Sequence, residues 1–354
     1  MSFIQTVVTE NAPYRVNQHD LVGVVRNLFG SDYQDIERLL KVFNNGQIES
    51  RYFAAPLEWF EKDRTFEEKN RLYIKEAVRM GSEAVKKCLE QSGVEAAEIE
   101  AIIFVSSSGL STPTIDARIM NELEMPANIK RLPIWGLGCA GGAAGLSRAD
   151  DYCRAYPNAK VLVLCLELCS LTFVRGDKSK SNLIGTSLFA DGSACVLVTG
   201  DHAACGNGFK IHANRSQLMP QSEDVMGWDI QNSGLHVVFS RSIPGIIEDW
   251  LKPSVTEFLE TLGKSQTDIR HFIAHPGGKK VLSAYERSLA LPSSQTAISR
   301  SVLSEYGNMS SPTVLYVLKK FMEQPMQPGE EALLTALGPG FSSEMLWLEW
   351  VAAE

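Results

Sequence analysis

Long apolar runs are missing from this chain of 354 residues, and with them the simplest route into a membrane. A spanning helix needs about 20 consecutive apolar residues. The longest candidate, AKVLVLCLELCSLTF, is interrupted by Glu167 and reads as a buried strand. The amino end, MSFIQTVVTENAPYRV, has neither a charged leader nor an apolar core, so no secretory signal is expected. Excess positive charge is missing too. With 34 Lys and Arg against 42 Asp and Glu the net charge is −8, which opposes a general nucleic-acid surface. An anionic small molecule would need a local basic patch. Paired-cysteine motifs are also absent. The seven cysteines (88, 139, 153, 165, 169, 195 and 205) are odd in number and contain no CxxC. Free thiols in a reducing cytoplasm, without a metal, are therefore expected, with Cys165 and Cys169 as small core residues.

What is present is ordinary globular material. Apolar residues make up 44% and charged residues 21%, and the length allows one large or two smaller cores. Residues 66–92 recur apolar at helical spacing through Leu72, Met80, Ala84 and Cys88 and stop at Gly93. AIIFVSSS (101–108) predicts a buried strand, PTIDARIMNEL (113–123) a helix, and RLPIWGLG (131–138) a strand entering a glycine-rich turn. A small-residue helix over 140–156 and strands over 160–168 and 193–200 complete the first half. The second half repeats the grammar: a strand over 268–276, the helix GKKVLSAYERSLA, a helix over 307–322, and strands over 331–338 and 342–350. Buried strands alternating with helices predict an α/β fold with covered sheets, built from two related halves, 1–205 and 206–354, around a shared cleft.

Three residues sit where strands turn into helices. Cys139, in GLGCAGG, opens a helix of small residues, where the helix dipole and free amides favour thiolate over thiol. The alternative is a cysteine merely packed in a glycine turn. His275, in AHPGGKK, ends a strand before a Pro-Gly-Gly turn, the place of a cleft-facing histidine, the alternative being a satisfied structural one, whereas His19, His202 and His212 are expected at the surface. Asn308, in GNMSSPT, taken alone is a helix cap, with Pro312 in the first turn. Together, thiolate, imidazole and carboxamide are what thioester condensation needs. The sulfur carries an acyl group, and the other two donate hydrogen bonds to the thioester oxygen of a malonyl unit losing carbon dioxide. No metal or redox cofactor is required. Asp191, in FADG, is expected to order its own turn, and the buried Glu167 to have a polar partner.

GLGCAGG, LFADG, AHPGGKK, GNMSSPT and ALGPGFSSE, in this order, resemble the type III polyketide synthases, the chalcone synthase superfamily. The resemblance spans nearly the whole chain. It implies a homodimeric thiolase-like fold of five αβαβα layers, with Cys139 as the acyl-carrying nucleophile and His275 and Asn308 as its partners. It implies Phe189 as the gatekeeper aromatic between a CoA tunnel and an elongation cavity. Gly338, Pro339 and Gly340 would form the loop shaping the cavity wall, and Ser107, Thr172 and Ser310 would line it.

Two positions depart from the plant enzymes: Val237 stands where they carry a second gatekeeper phenylalanine, and Thr112 where they carry a methionine near the dimer contact. A smaller Val237 would open space beside Cys139. SSSGLSTPTIDAR, WGLGCAGGAAGL, ELCSLTF, SNLIGTSLF and QSEDVMGWD are similar to Bacillus-type alkylpyrone synthases, which implies long-chain acyl-CoA starters extended with malonyl-CoA to alkylpyrones or alkylresorcinols. Arg51, in ESRYF, together with Lys279 and Lys280, are the expected CoA phosphate ligands. The rival readings are a β-ketoacyl-ACP synthase III stopping after one condensation, a cysteine thioester hydrolase, and a non-catalytic scaffold.

Overall fold

The computed structural model describes residues 1–29, 36–240 and 242–352. Its strands are β1 (Ser2–Asn11), β2 (Tyr14–Asn17), β3 (Ser50–Phe53), β4 (Ala101–Val105), β5 (Lys130–Ile134), β6 (Lys160–Leu168), β7 (Asp191–Gly200), β8 (Gly208–Leu218), β9 (Met226–Gln231), β10 (Gly234–Phe239), β11 (His271–Ala274), β12 (Glu331–Gly338) and β13 (Ser342–Val351). The helices are α1 (Gln18–Phe29), α2 (Ile36–Asn45), α3 (Leu57–Phe60), α4 (Phe66–Ser92), α5 (Ile115–Glu122), α6 (Gly141–Ala155), α7 (Lys180–Leu188), α8 (Ile243–Ile246), α9 (Lys252–Thr261), α10 (Lys279–Ser288), α11 (Ala297–Tyr306) and α12 (Thr313–Met322).

Among the described residues the main sheet has nine strands, in the order β11-β12-β13-β8-β1-β7-β6-β4-β5. The expected repetition is visible in its pairing. In one half β4 and β6 run parallel, then β6–β7 and β7–β1 antiparallel. In the other, β11 and β12 run parallel, then β12–β13 and β13–β8 antiparallel. The halves join where Ser2–Ile4 pair with Phe209–Ile211.

Alternation along the strands separates three apolar layers. Ile102 and Phe104 face α4, whereas Ala101, Ile103 and Val105 face inward to a central core shared by both halves. On β12, Ala332, Leu334 and Ala336 join that central core while Leu333 and Leu337 pack toward the far side. Helix α6 touches strands of both halves and packs on α12, so the two helices fill the middle layer. The order is therefore αβαβα. The small residues of α6 follow from this burial. A Cβ at Gly142 would stand 2.3 Å from the carbonyl oxygen of Ser311, so only glycine lets the two chain segments approach.

Helix α4 starts on a capping box between Thr65 and Glu68 and ends on Gly93 in the left-handed region, where its periodicity stops. The expected helix over 307–322 begins later, at Thr313 with Pro312 as its cap. The preceding residues are held otherwise: Ser310 has φ of 59° and Asn308 pairs with Phe189 in an isolated parallel bridge. No described helix is long and apolar enough to cross a membrane.

Candidate active site

Cys139 lies in a single helical turn, Gly138–Ala140, between β5 and α6, and is 7% exposed. The turn is held from behind. The Ser107 hydroxyl accepts the N–H groups of Gly136 (3.1 Å) and Gly138 (3.2 Å), and the Ser107 N–H donates to Glu167 (2.9 Å). Glu167 also accepts the Ser108 N–H (2.9 Å), the Ser108 hydroxyl (2.6 Å) and the Ser311 hydroxyl (3.0 Å). The polar partner demanded by its burial is thus a ring of serines. Ser107 belongs to this scaffold and lines none of the described cavities, because its hydroxyl is occupied by the cysteine turn.

Asn308 comes from the other half. Its N–H donates to Leu188 O (3.0 Å) and its carbonyl accepts the Ala190 N–H (2.8 Å), a backbone pairing rather than the helix cap expected of it. The carboxamide oxygen accepts the Ser310 N–H (2.8 Å), Nδ2 donates to Gly277 O (3.4 Å), and the amide lies 3.9 Å from Cys139 Sγ. Ser310 is buried against Cys139 and its hydroxyl bonds the thiol. His275 ends β11 and is 1% exposed. Neither ring nitrogen has a hydrogen-bond partner among the described residues. A buried imidazole left open at both nitrogens is costly unless a substrate completes it. Cys139, His275 and Asn308 share one small cavity, lined also by Met226, Phe239, Ile247, Tyr285 and Phe341.

The electrostatics correct one expectation. Burial pushes the Cys139 thiol up to about 11, outweighing hydrogen bonds from Ser310 and Asn308 that act the other way. Burial likewise pushes His275 down to about 3. Desolvation penalises both charged forms more than the short helical turn assists the thiolate. Burial thus favours thiol and neutral imidazole over the charged pair.

One space adjoins the cavity. An open cleft on one side shares Phe239, Ile243, Gly277 and Val281 with it and carries Lys279 and Lys280, both exposed, at its rim. A separate pocket, sharing no lining residue with the cavity, lies at Phe189, whose backbone bridges to Asn308. Leu21, Val24, Val25 and Leu28 of α1 form one wall, with Phe53, Phe60, Thr172 and Val237 opposite. Phe189 meets Trp228 at 5.9 Å between ring centroids. Val237 is cross-strand from Trp228 and packs with Phe189 over Gly185. Val237 therefore shapes the pocket behind the gatekeeper position and does not line the Cys139 cavity. Cys169 lines the same pocket, while Cys165 is core.

Other expected site residues stand elsewhere. Arg51 is 1% exposed, and Nη1 donates to the carbonyls of Thr186 (2.8 Å) and Phe189 (2.5 Å). It faces away from solvent and cannot meet a phosphate at the cleft. Asp191 does not close its own turn; it accepts the N–H groups of Ala54 (2.6 Å) and Ser170 (2.7 Å) and the Ser170 hydroxyl (2.5 Å). Thr112 is exposed on the loop before α5 and lines no described cavity of this chain. Gly338 and Pro339 press on the cysteine turn, with Pro339 against Gly138, and Gly340 O accepts the Ser222 hydroxyl (2.6 Å). The wall itself comes from their neighbours Leu337 and Phe341. His19 and His202 are exposed, whereas His212 is half-buried against Glu349 (2.6 Å). His236 bridges Asp177 (3.2 Å) and Ser233 (2.7 Å), clasping the β9–β10 hairpin to the segment before α7. Sequence reasoning missed the α1 wall, although Leu21, Val25 and Leu28 recur at helical spacing. It also missed Trp228, whose partner comes from a distant element.

Residues 53–202 match the N-terminal domain of chalcone and stilbene synthases, and residues 210–352 match the C-terminal domain. A protein of Bacillus subtilis (strain 168) that carries a chalcone synthase designation is 50% identical over 99% of both chains. The chain belongs to the chalcone and stilbene synthase family. It is 30% identical to the alpha-pyrone synthesis polyketide synthase-like Pks18 of Mycobacterium tuberculosis (strain H37Rv), over 97% of this chain and 90% of that protein. The crystal structure of 1,3,6,8-tetrahydroxynaphthalene synthase from Streptomyces coelicolor A3(2), a bacterial type III polyketide synthase, matches with a TM-score of 0.94. The two are 29% identical, covering 99% of this chain and 100% of that one. This family membership makes the chain a type III polyketide synthase, a decarboxylating acyltransferase on a thiolase-like fold.

Proposed function

We propose that this synthase loads a long-chain fatty acyl group from CoA onto Cys139 and extends it with malonyl-CoA to an alkylpyrone, with alkylresorcinol as the alternative ring closure. The observation that carries this reading is the apolar pocket behind Phe189, walled by Leu21, Val24, Val25 and Leu28. A flat aromatic starter would leave that wall unfilled, whereas an alkyl tail buries apolar surface along it. The pyrone-synthesis designation of a relative supports the same product class.

The chemistry follows from a neutral resting pair. His275 takes the Cys139 proton as sulfur attacks the starter thioester carbonyl, and the CoA thiolate leaves with that proton. The imidazole, neutral again, and Asn308 Nδ2 then donate hydrogen bonds to the thioester oxygen of malonyl-CoA. Carbon dioxide departs, the enolate they stabilise attacks the acyl-cysteine carbonyl, and the Cys139 sulfur is released. Repetition lengthens the chain until it cyclises. Lys279 and Lys280 meet the CoA phosphates at the cleft rim, Arg51 having no part in this. No cofactor enters any step.

The enzyme works as a homodimer in this reading. Strand β5 ends the sheet, and beside it Trp135 and Leu110 are 47% and 39% exposed, with Trp135 Nε1 bonded to Gly109 O (3.2 Å). An unpaired sheet edge flanked by two exposed apolar side chains suits a second copy, with Thr112 on the neighbouring loop.

The test is mass spectrometry of products from malonyl-CoA and a graded series of acyl-CoA starters. Pyrones carrying the starter, with yield peaking at long chains, are expected. Single-condensation ketoacyl products or free acids would overturn the polyketide product, and a flat chain-length profile would overturn the fatty starter.

A further inference from the structure

Arg51 is the most deeply buried cation of the chain's described core and touches no cavity. A Nε and a Nη2 without hydrogen-bond partners among the described residues show that it is not held for its own sake. Burial pushes the guanidinium down to about 9, with Asp191 acting against that fall, so it stays charged at neutral pH. Its one satisfied nitrogen grips two carbonyls, Thr186 and Phe189, at the end of α7. The stem lies over Gly307: a Cβ there would fall 2.7 Å from Arg51 Cγ and Cδ. Gly307 precedes Asn308, and Phe189 is the bridge partner of Asn308. One side chain therefore contacts both strands of the bridge from which the Asn308 carboxamide and the Phe189 ring project.

We infer that Arg51 is a positioning residue, fixing Asn308 and Phe189 relative to the malonyl thioester without touching substrate. The inference rests on the mechanism proposed above. In that mechanism starter loading uses Cys139 and His275, whereas malonyl decarboxylation also needs the Asn308 donor. Asn308 Nδ2 itself makes one long bond, to the Gly277 carbonyl at 3.4 Å, while the Ser310 N–H holds the carboxamide oxygen at 2.8 Å from the same chain segment, so the aim of Nδ2 follows where the backbone bridge sits. Loss of the grip on Phe189 shifts that bridge and misaligns the donor. A lysine ammonium ends one bond short of the Nη1 position, so it reaches the two carbonyls poorly from a stem lying over Gly307.

The experiment compares Arg51→Lys and Arg51→Gln with the unmodified enzyme in two assays. Intact-protein mass spectrometry follows acylation by a long-chain acyl-CoA, and release of carbon dioxide follows decarboxylation of malonyl-CoA. Expected is a fall of at least tenfold in decarboxylation, with acylation within about threefold in at least one variant. Equal losses in both assays, or loss of loading in both variants through misfolding, would make Arg51 a stabilising residue only and overturn the inference. Unchanged decarboxylation in either variant would do the same. An unmodified enzyme that loads starter but releases no carbon dioxide from malonyl-CoA would instead overturn the functional reading, and the inference with it.

Discussion

The Ser311 hydroxyl donates to Glu167 at 3.0 Å, and through that carboxylate the turn before α12 is tied to the turn that carries Cys139. Two halves of the chain thus meet on one buried acid. Burial raises Glu167 to about 7 despite four donors, and Asp191 likewise to about 7.

The sign of the resulting pH dependence is fixed. A carboxyl whose folded value lies above its unfolded value binds more protons in the native state, so stability falls as pH rises from about 4.5 to about 7. Denaturant melts across that window should show the decline. Glu167→Gln should lessen the decline, leaving the Asp191 share, and cost about 1–3 kcal/mol at pH 7, because its amide nitrogen faces donors. A slope unchanged by the substitution would contradict the assignment.

Cys139 should behave as a buried thiol. Iodoacetamide alkylation, followed by mass, is expected to be slow at pH 7 and to climb steadily toward a thiol value of about 11. With His275 held near 3, no inflection belongs between pH 5 and 8. An acid limb in that range would reveal a thiolate–imidazolium pair instead. Cys139→Ala should abolish the acyl adduct altogether.

Val237→Phe should shorten the preferred starter by filling the pocket behind Phe189. Each methylene denied burial costs about 0.8 kcal/mol, or roughly fourfold in kcat/KM. Competition between starters of graded length reads this directly. A preserved profile would remove Val237 from the starter wall.

Lys279→Glu with Lys280→Glu should raise KM for both CoA thioesters about tenfold while leaving kcat nearly unchanged. The loss should shrink in high salt, since both side chains are exposed and their attraction is screened. Steady-state kinetics at two ionic strengths checks it.

Much of this architecture is local in origin and was legible in the residue order. The periodicity of α4, its stop at Gly93, the buried run of β4 and the glycine-flanked turn around Cys139 depend on near neighbours. The recurrence of one strand–helix grammar in both halves is legible for the same reason. Other properties arise only when distant segments meet. Arg51, in ESRYF, is expected at the CoA phosphates, yet it turns inward because the carbonyls it satisfies lie 135 and 138 residues away. Asn308 reads as a cap, yet its backbone pairs with Leu188 and Ala190. Helix position argues for a Cys139 thiolate, whereas burial in the surrounding core pushes toward the thiol. Periodicity and turn chemistry act over a few residues. Desolvation and the satisfaction of buried polar groups sum over the whole fold, and only the tertiary structure could decide them.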